Sequence, residues 1–199
     1  MSTPKPALPW MDREIILASK SPRRQQLLTA AGIPFRIETN EVEEDFPEDM
    51  PVEQVAAFLA RKKAQAAKDF IKNREVVLAA DSIVILDDQI FGKPENRDHA
   101  IEILHELSGN IHQVITGVCL LSSDKERVFS GYSKVHFAPL TLEEIEYYID
   151  TFQPYDKAGA YAIQEWIGLC KITRIEGTYT NIMGLPMELV YQELMRFVD

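Results

Sequence analysis

Ser19-Lys20-Ser21-Pro22-Arg23-Arg24 places two guanidinium groups just after a Ser-Pro pair, a combination that reads as the start of a helix. The amino end of a helix already carries exposed N–H donors and partial positive charge, so its first turn favours acidic side chains. Arginines at 23 and 24 therefore call for a negative partner. A phosphate group bound at the helix terminus meets that need, with Ser19 and Ser21 adding hydroxyl donors. The ordinary alternative is a surface ion pair with the acidic run Glu41-Val42-Glu43-Glu44-Asp45-Phe46-Pro47-Glu48-Asp49. On charge alone the two readings balance.

Lys63 falls where the apolar stripe Val52, Val55, Ala56, Leu59, Ala66, Ala67 and Phe70 calls for an apolar side chain. Its ammonium either snorkels to the edge of the core or reaches an enclosed phosphate; Lys62 projects away and is expected in solvent. Asp81 interrupts the apolar span 76–86, where an unpaired carboxylate is costly to bury and a compensating cation is expected. With Ser82 it could shape a bend through local hydrogen bonds, but a metal ligand or general base at a strand end is the favoured reading. Gly92-Lys93-Pro94 follows a hairpin expected around Asp87-Asp88 and presents Lys93 on a stiff turn near the same strand end. The segment 154–164 reads as either a binding loop or a plain connection, with the charged pair Asp156-Lys157 and the two-way hydrogen-bonding amide of Gln164.

The elements that must position these groups follow from periodicity. Strands are predicted at 14–18, 35–38, 76–80 continuing through 82–86, 113–121 and 128–137. Helices are predicted from Ser21-Pro22 to a stop at Gly32, from Pro51 through Phe70, and at 96–107, 142–152 and 186–198. This order mixes strand-helix units with hairpins, so the fold class is mixed α/β or α+β. No internal repeat or low-complexity linker divides the chain. Residues 14–199 are expected to form one domain behind a loosely ordered leader, residues 1–13, that carries Pro4, Pro6 and Pro9.

The 199 residues hold 21 Lys and Arg against 31 Asp and Glu, and the formal charge of −10 disfavours a nucleic-acid polymer as partner. No apolar stretch approaches membrane-spanning length, and the leader lacks a signal-peptide core, so the expected location is cytoplasmic. Cys119 and Cys170 stand alone among apolar neighbours and are expected to be buried thiols. His99, His105, His112 and His136 show no metal-ligand spacing. The GxxxxGK[ST], GxGxxG and GxSxG signatures do not occur, which disfavours the common nucleotide and acyl-transfer folds.

Taken together, Leu17-Ala18-Ser19-Lys20-Ser21-Pro22-Arg23-Arg24, then Ala80-Asp81-Ser82 with Gly92-Lys93-Pro94, then Tyr155-Asp156-Lys157-Ala158-Gly159-Ala160-Tyr161 resemble the Maf family across residues 14–198. That resemblance implies a nucleoside-triphosphate pyrophosphatase with an inosine-triphosphate-pyrophosphatase-like fold: a central mixed sheet flanked by helices, and two lobes around a deep cleft. The loop ending at Gln164 is similar to the branch acting on dTTP and UTP, and modified pyrimidine triphosphates are a further substrate class in a house-cleaning role. The resemblance implies Asp81 as proton acceptor, Arg23, Ser82 and Gln164 as specificity residues, and Lys63, Lys93 and Arg24 near the phosphates. It further implies Mg²⁺, or another divalent ion such as Mn²⁺, on Glu44 and Asp81, and a homodimer. Ser82, Ala162 and Glu165 depart from the branch pattern, where Thr, Gly and Gly are usual. A nucleotide-binding regulator of cell division with little or no hydrolysis is the alternative function.

Overall fold

The computed structural model describes residues 13–198, so most of the leader lies outside the described residues. The chain enters on strand β1 (Ile15–Leu17), turns into helix α1 (Pro22–Ala30), and returns as β2 (Phe35–Ile37), parallel to β1. Helix α2 (Val52–Ala66) then leads to β3 (Val76–Leu86), which runs parallel to β1 on its other side. Asp87 and Asp88, both at positive φ, close a hairpin onto β4 (Gln89–Phe91). After α3 (Arg97–Leu107), the long strands β5 (Ile111–Leu121) and β6 (Glu126–Phe137) form an antiparallel ribbon beside β3. Helix α4 (Leu142–Phe152), two single 3-10 turns and α5 (Trp166–Lys171) follow, then edge strand β7 (Ile172–Glu176), α6 (Tyr179–Met183) and α7 (Met187–Val198). The resulting open mixed sheet has the order β2-β1-β3-β5-β6-β7, with β4 on β3, and confirms the mixed α/β class.

Alternation along β3 sends its odd-numbered residues to one face and its even-numbered residues to the other. Helix α2 covers the odd face. Its Ala60 and Ala64 pack on Val77, Ala79 and Cys119, while Val55, Ala56 and Leu59 pack on Ile83, Ile85 and Ile115. On the even face, α1 and α7 cover Leu78, Ala80 and Val118 at one end, and α3 and α4 cover Val84 and Val114 at the other. Apolar packing is thus interrupted on both faces at the same level, at Asp81 on the odd face and Ser82 on the even one. Their partners in register on β5 are Gly117 and Thr116.

The same level is also where β3 loses a neighbour. β1 pairs only with residues 76–78 and β4 only with residues 84–86, both on the side of β3 away from β5. Between them, among the described residues, that edge of β3 has no strand partner. A chain that stops β1 at Leu17 and folds β4 back as a three-residue strand therefore leaves a notch beside Asp81 and Ser82.

Several expectations change in detail. The predicted second helix ends at Ala66, and Lys68–Phe70 is a separate 3-10 turn. The 76–80 and 82–86 runs form one strand as expected, but Asp81 stands at its middle rather than at a strand end. β4 completes the hairpin expected around Asp87-Asp88, whereas α5, β7 and α6 were not predicted. Cys119 is buried as expected, but Cys170 is exposed, because α5 buries Ile167 and turns Leu169 and Cys170 outward. No helix among the described residues is long and apolar enough to cross a membrane.

Candidate active site

A cleft of about 1000 Å³ opens at this notch, and Ser19, Ser21, Arg23, Arg24, Glu44, Lys63, Asp81, Ser82, Lys93, Asp156, Lys157 and Gln164 all line it. β1 ends at its rim, so the turn into α1 delivers Ser19 and the first helical turn directly to the cleft. Ser21 is the N-cap of α1, but its hydroxyl makes no capping bond, and the first turn contains no acidic residue. Instead, Ser21 N–H donates to Ser19 Oγ at 3.2 Å.

Arg24 holds three elements together. Its Nε donates to Gly184 O at 2.8 Å, Nη1 to Ser19 Oγ at 3.1 Å and Nη2 to Ser82 Oγ at 3.2 Å. Gly184, at a φ of 115° that suits glycine, ends α6 and turns the chain there. Every one of these acceptors is neutral, and among the described residues Arg24 forms no ion pair. Desolvation draws its pKa down, while the fields of Asp81 and Glu44 act in the opposite direction and that of Arg23 adds to it. A guanidinium set into the wall without a carboxylate is a site that an anion completes.

Arg23 pairs with Asp156, Nη1 to Oδ2 at 3.2 Å. The surface pairing of Arg23 and Arg24 with the 41–49 run is therefore not what forms. That run pairs with lysines: Asp45 takes Lys62, which had been expected in solvent, and Glu44 takes Lys63 and Lys93.

Lys63 sits on the packed face of α2, between the two apolar clusters of the odd sheet face, opposite Asp81. Its Nζ donates to Asp81 Oδ1 and, at 2.8 Å, to Glu44 Oε1. Asp81 is only 8% exposed, and Lys63 is the cation its burial required. α2 comes this close because β5 has Gly117 beside Asp81: a Cβ there would lie 2.3 Å from the Ala56 carbonyl carbon. Lys93 Nζ reaches Glu44 Oε2 at 3.0 Å from the turn after β4. Desolvation would raise Glu44, but hydrogen bonds and charge from Lys63 and Lys93 outweigh it and bring the carboxyl down to about 2.

Ser82, on the other face, is 2.9 Å from Thr116 Oγ1, which donates to Asn181 O at 3.0 Å. Asn181 in turn donates to Ser133 Oγ at 2.9 Å. This polar seam divides the two apolar clusters of that face. Beside it the cleft floor turns apolar, with Val84, Val114, Ile182 and Met183, and Gln164 at its margin. Gln164 Oε1 is buried without a hydrogen-bond partner. The charged pair of the 154–164 segment is largely committed to the protein: Lys157 is buried and donates to Asp156 Oδ1 at 2.7 Å. Ala162 and Glu165, where the sequence departs from the branch pattern, lie in the turn around Gln164, and the carboxylate of Glu165 is held by Tyr148.

All the residues proposed for the site from the sequence thus share one cleft. Thr116, Gly117, Gly184 and the apolar floor were missed. Gly117, a glycine inside an apolar strand, did carry a signal of close backbone approach; the carbonyl of Gly184 carried none.

Arranged this way, a cationic wall (Arg23, Arg24) faces a mixed-charge cluster (Asp81, Glu44, Lys63, Lys93) across a space with an apolar recess at one end. The dTTP/UTP pyrophosphatase of Parabacteroides distasonis is 45% identical over 185 residues, covering 92% of this chain and 96% of its own. That of Phocaeicola vulgatus is 46% identical over 184 residues, covering 92% and 95%. The solved structure of the Staphylococcus aureus Ham1 protein is less similar, with 18% identity, 63% of this chain and 72% of that one covered, and a TM-score of 0.47. The family model described as Maf-like protein matches residues 14–197, and with these relatives at its side the chain belongs to the Maf family.

Proposed function

We propose that the chain hydrolyses dTTP and UTP to the nucleoside monophosphate and pyrophosphate. The observation that carries this reading is Arg24: a guanidinium in the cleft wall, bonded only to neutral acceptors, across from the carboxylate of Asp81. A triphosphate supplies the anion that Arg24 lacks and lays its α-phosphorus towards Asp81, with the base directed to the apolar recess and Gln164. Relatives named dTTP/UTP pyrophosphatase support the same substrate class.

In this mechanism water attacks the α-phosphorus in line with the bridging oxygen to the β-phosphorus. Asp81 orients the water and takes its proton, the α–β P–O bond breaks, and the electron pair leaves with pyrophosphate. Arg23, Arg24, Lys63 and Lys93 stabilise the charge that develops on that leaving group. Lys63 also holds Asp81 in place before substrate enters.

A divalent cation such as Mg²⁺ fits the residues present. Asp81 and Glu44 converge on one ammonium, Lys63 Nζ, so both carboxylates already face a shared point of positive charge. Asp81 and Glu44 would hold the ion, since a magnesium ion is commonly bound through one or two protein carboxylates. When bound, Mg²⁺ supplies charge neutralisation on the phosphates.

Asp81→Asn is expected to lower kcat for UTP by about 10²- to 10⁴-fold while nucleotide binding, read by calorimetry, persists. Unchanged turnover removes Asp81 from the chemistry. Binding with no hydrolysis by the unaltered protein would favour a nucleotide-binding regulator instead.

A further inference from the structure

Gln164 stands in a turn that is held at both ends. Glu165 N–H closes the turn onto Ala162 O at 3.1 Å. Beneath it lies Tyr148 of α4, a helix whose start is fixed by a capping box between Thr141 and Glu144. The Tyr148 ring is fully buried and stacked on Phe152 with centroids 5.1 Å apart. Its hydroxyl accepts Ala162 N–H at 3.0 Å and donates to Glu165 Oε2. One hydroxyl thus grips the residue that begins the turn and the residue that ends it.

Two further contacts stiffen the arrangement. Glu165 Oε1 lies 3.5 Å from Lys157 Nζ, and Lys157 is bonded through Asp156 to Arg23 on the phosphate wall. Behind the turn, α5 approaches so closely at Gly168 that a Cβ there would lie 1.9 Å from Ile163 O. Between these fixed points Gln164 Oε1 remains buried and unpaired.

We infer that Tyr148 and Glu165 are positioning residues for base selection: they clamp the turn carrying Gln164 so that its amide stays at one place beside the cleft. The inference rests on the reading that Gln164 meets the base. A primary amide carries both an acceptor and donors. In one orientation it complements the N3–H and O4 edge of uracil or thymine; turned over, it complements the N3 and amino edge of cytosine. A held turn keeps the amide against the base, so that a base whose edge it does not match leaves a buried polar group unpaired; a loose turn lets the amide withdraw and forfeits that penalty.

Steady-state kinetics with UTP and CTP on Tyr148→Phe, Glu165→Ala, Glu165→Gln and Gln164→Ala, each also melted thermally, test the clamp. Tyr148→Phe and Glu165→Ala are expected to raise KM for UTP about fivefold, leave kcat within about twofold, and lower the UTP-to-CTP ratio of kcat/KM about tenfold, the scale of one misplaced hydrogen bond. Glu165→Gln keeps an acceptor for the Tyr148 hydroxyl and is expected to retain most of the ratio. If Gln164→Ala lowers the ratio and the clamp variants keep it, the clamp is overturned while the role of Gln164 stands. If Gln164→Ala leaves the ratio unchanged, the base reading fails and the clamp with it. Should Tyr148→Phe melt below the assay temperature, the partly exposed Glu165 pair decides between the same outcomes.

Discussion

Arg24 and Lys63 are both cations in the cleft, but they are satisfied differently, and the difference assigns their work. Lys63 has two carboxylates, Asp81 and Glu44, and so holds the acidic side of the cleft together. Arg24 has only Gly184 O, Ser19 Oγ and Ser82 Oγ, and so keeps unspent charge for a ligand while tying β1, β3 and α6 together. Arg24→Lys retains the charge and loses the planar fork that reaches three acceptors at once. Its KM for UTP is expected to rise by about tenfold or more, with kcat reduced as well, because a displaced wall misaligns the α-phosphorus; kinetics equal to those of the unaltered protein would show that Arg24 is not part of the phosphate wall. These charges were legible in the sequence because each broke a local rule: arginines at a helix start, a lysine in an apolar stripe, an aspartate in an apolar strand. Thr116 and the backbone of Gly184 broke none, since a buried hydroxyl and a carbonyl acceptor leave no mark on composition or spacing.

Among the elements, α2 and β5 decide whether Lys63 and Asp81 meet. Gly117 lets the α2 backbone lie against the strand, and Gly117→Ala would place a methyl group 2.3 Å from the Ala56 and Ala57 backbone. Backbone cannot yield as a side-chain tip does, so a stability loss of about 1–3 kcal/mol is expected, together with reduced turnover as Lys63 withdraws from Asp81. Urea denaturation and a UTP assay on the same variant measure both; native stability with native turnover would mean that α2 does not need this contact. The start of β5 carries His112, 1% exposed, bonded through Nε2 to Tyr161 OH at 2.7 Å and packed edge-on against Phe137. Desolvation, helped by nearby His136, draws the imidazole from 6.5 down to about 3. Unfolded chains therefore take up a proton that the folded protein refuses, and stability falls as pH drops from 6.5 towards 3, by at most about 1.4 kcal/mol per pH unit. Between pH 7 and 5, His112→Phe is expected to flatten this decline; an equal decline in both proteins would assign it to other groups. Long elements such as β3 and α4 were legible from periodicity. α5, β7 and α6 were not, because five or six residues are too few to show a period, and tertiary pairing rather than local preference fixes them.

The whole molecule is organised around the place where its sheet is incomplete. β1 stops short, β4 begins late, and the apolar core parts on both faces at the Asp81–Ser82 level, so the cleft, the charged cluster and the polar seam share one origin. The sequence carried the class of the fold and pointed to the candidate residues that line this cleft. It did not carry the pairing of the strands, and hence neither the notch in β3 nor the division of labour between Arg23, paired with Asp156, and Arg24, left for a ligand. Which phosphorus that ligand presents to Asp81 is the central chemical question. Chromatography of the products after incubation of UTP or dTTP with the protein and Mg²⁺ answers it. Monophosphate and pyrophosphate in equal amounts are the expected result, and diphosphate with inorganic phosphate would contradict attack at the α-phosphorus.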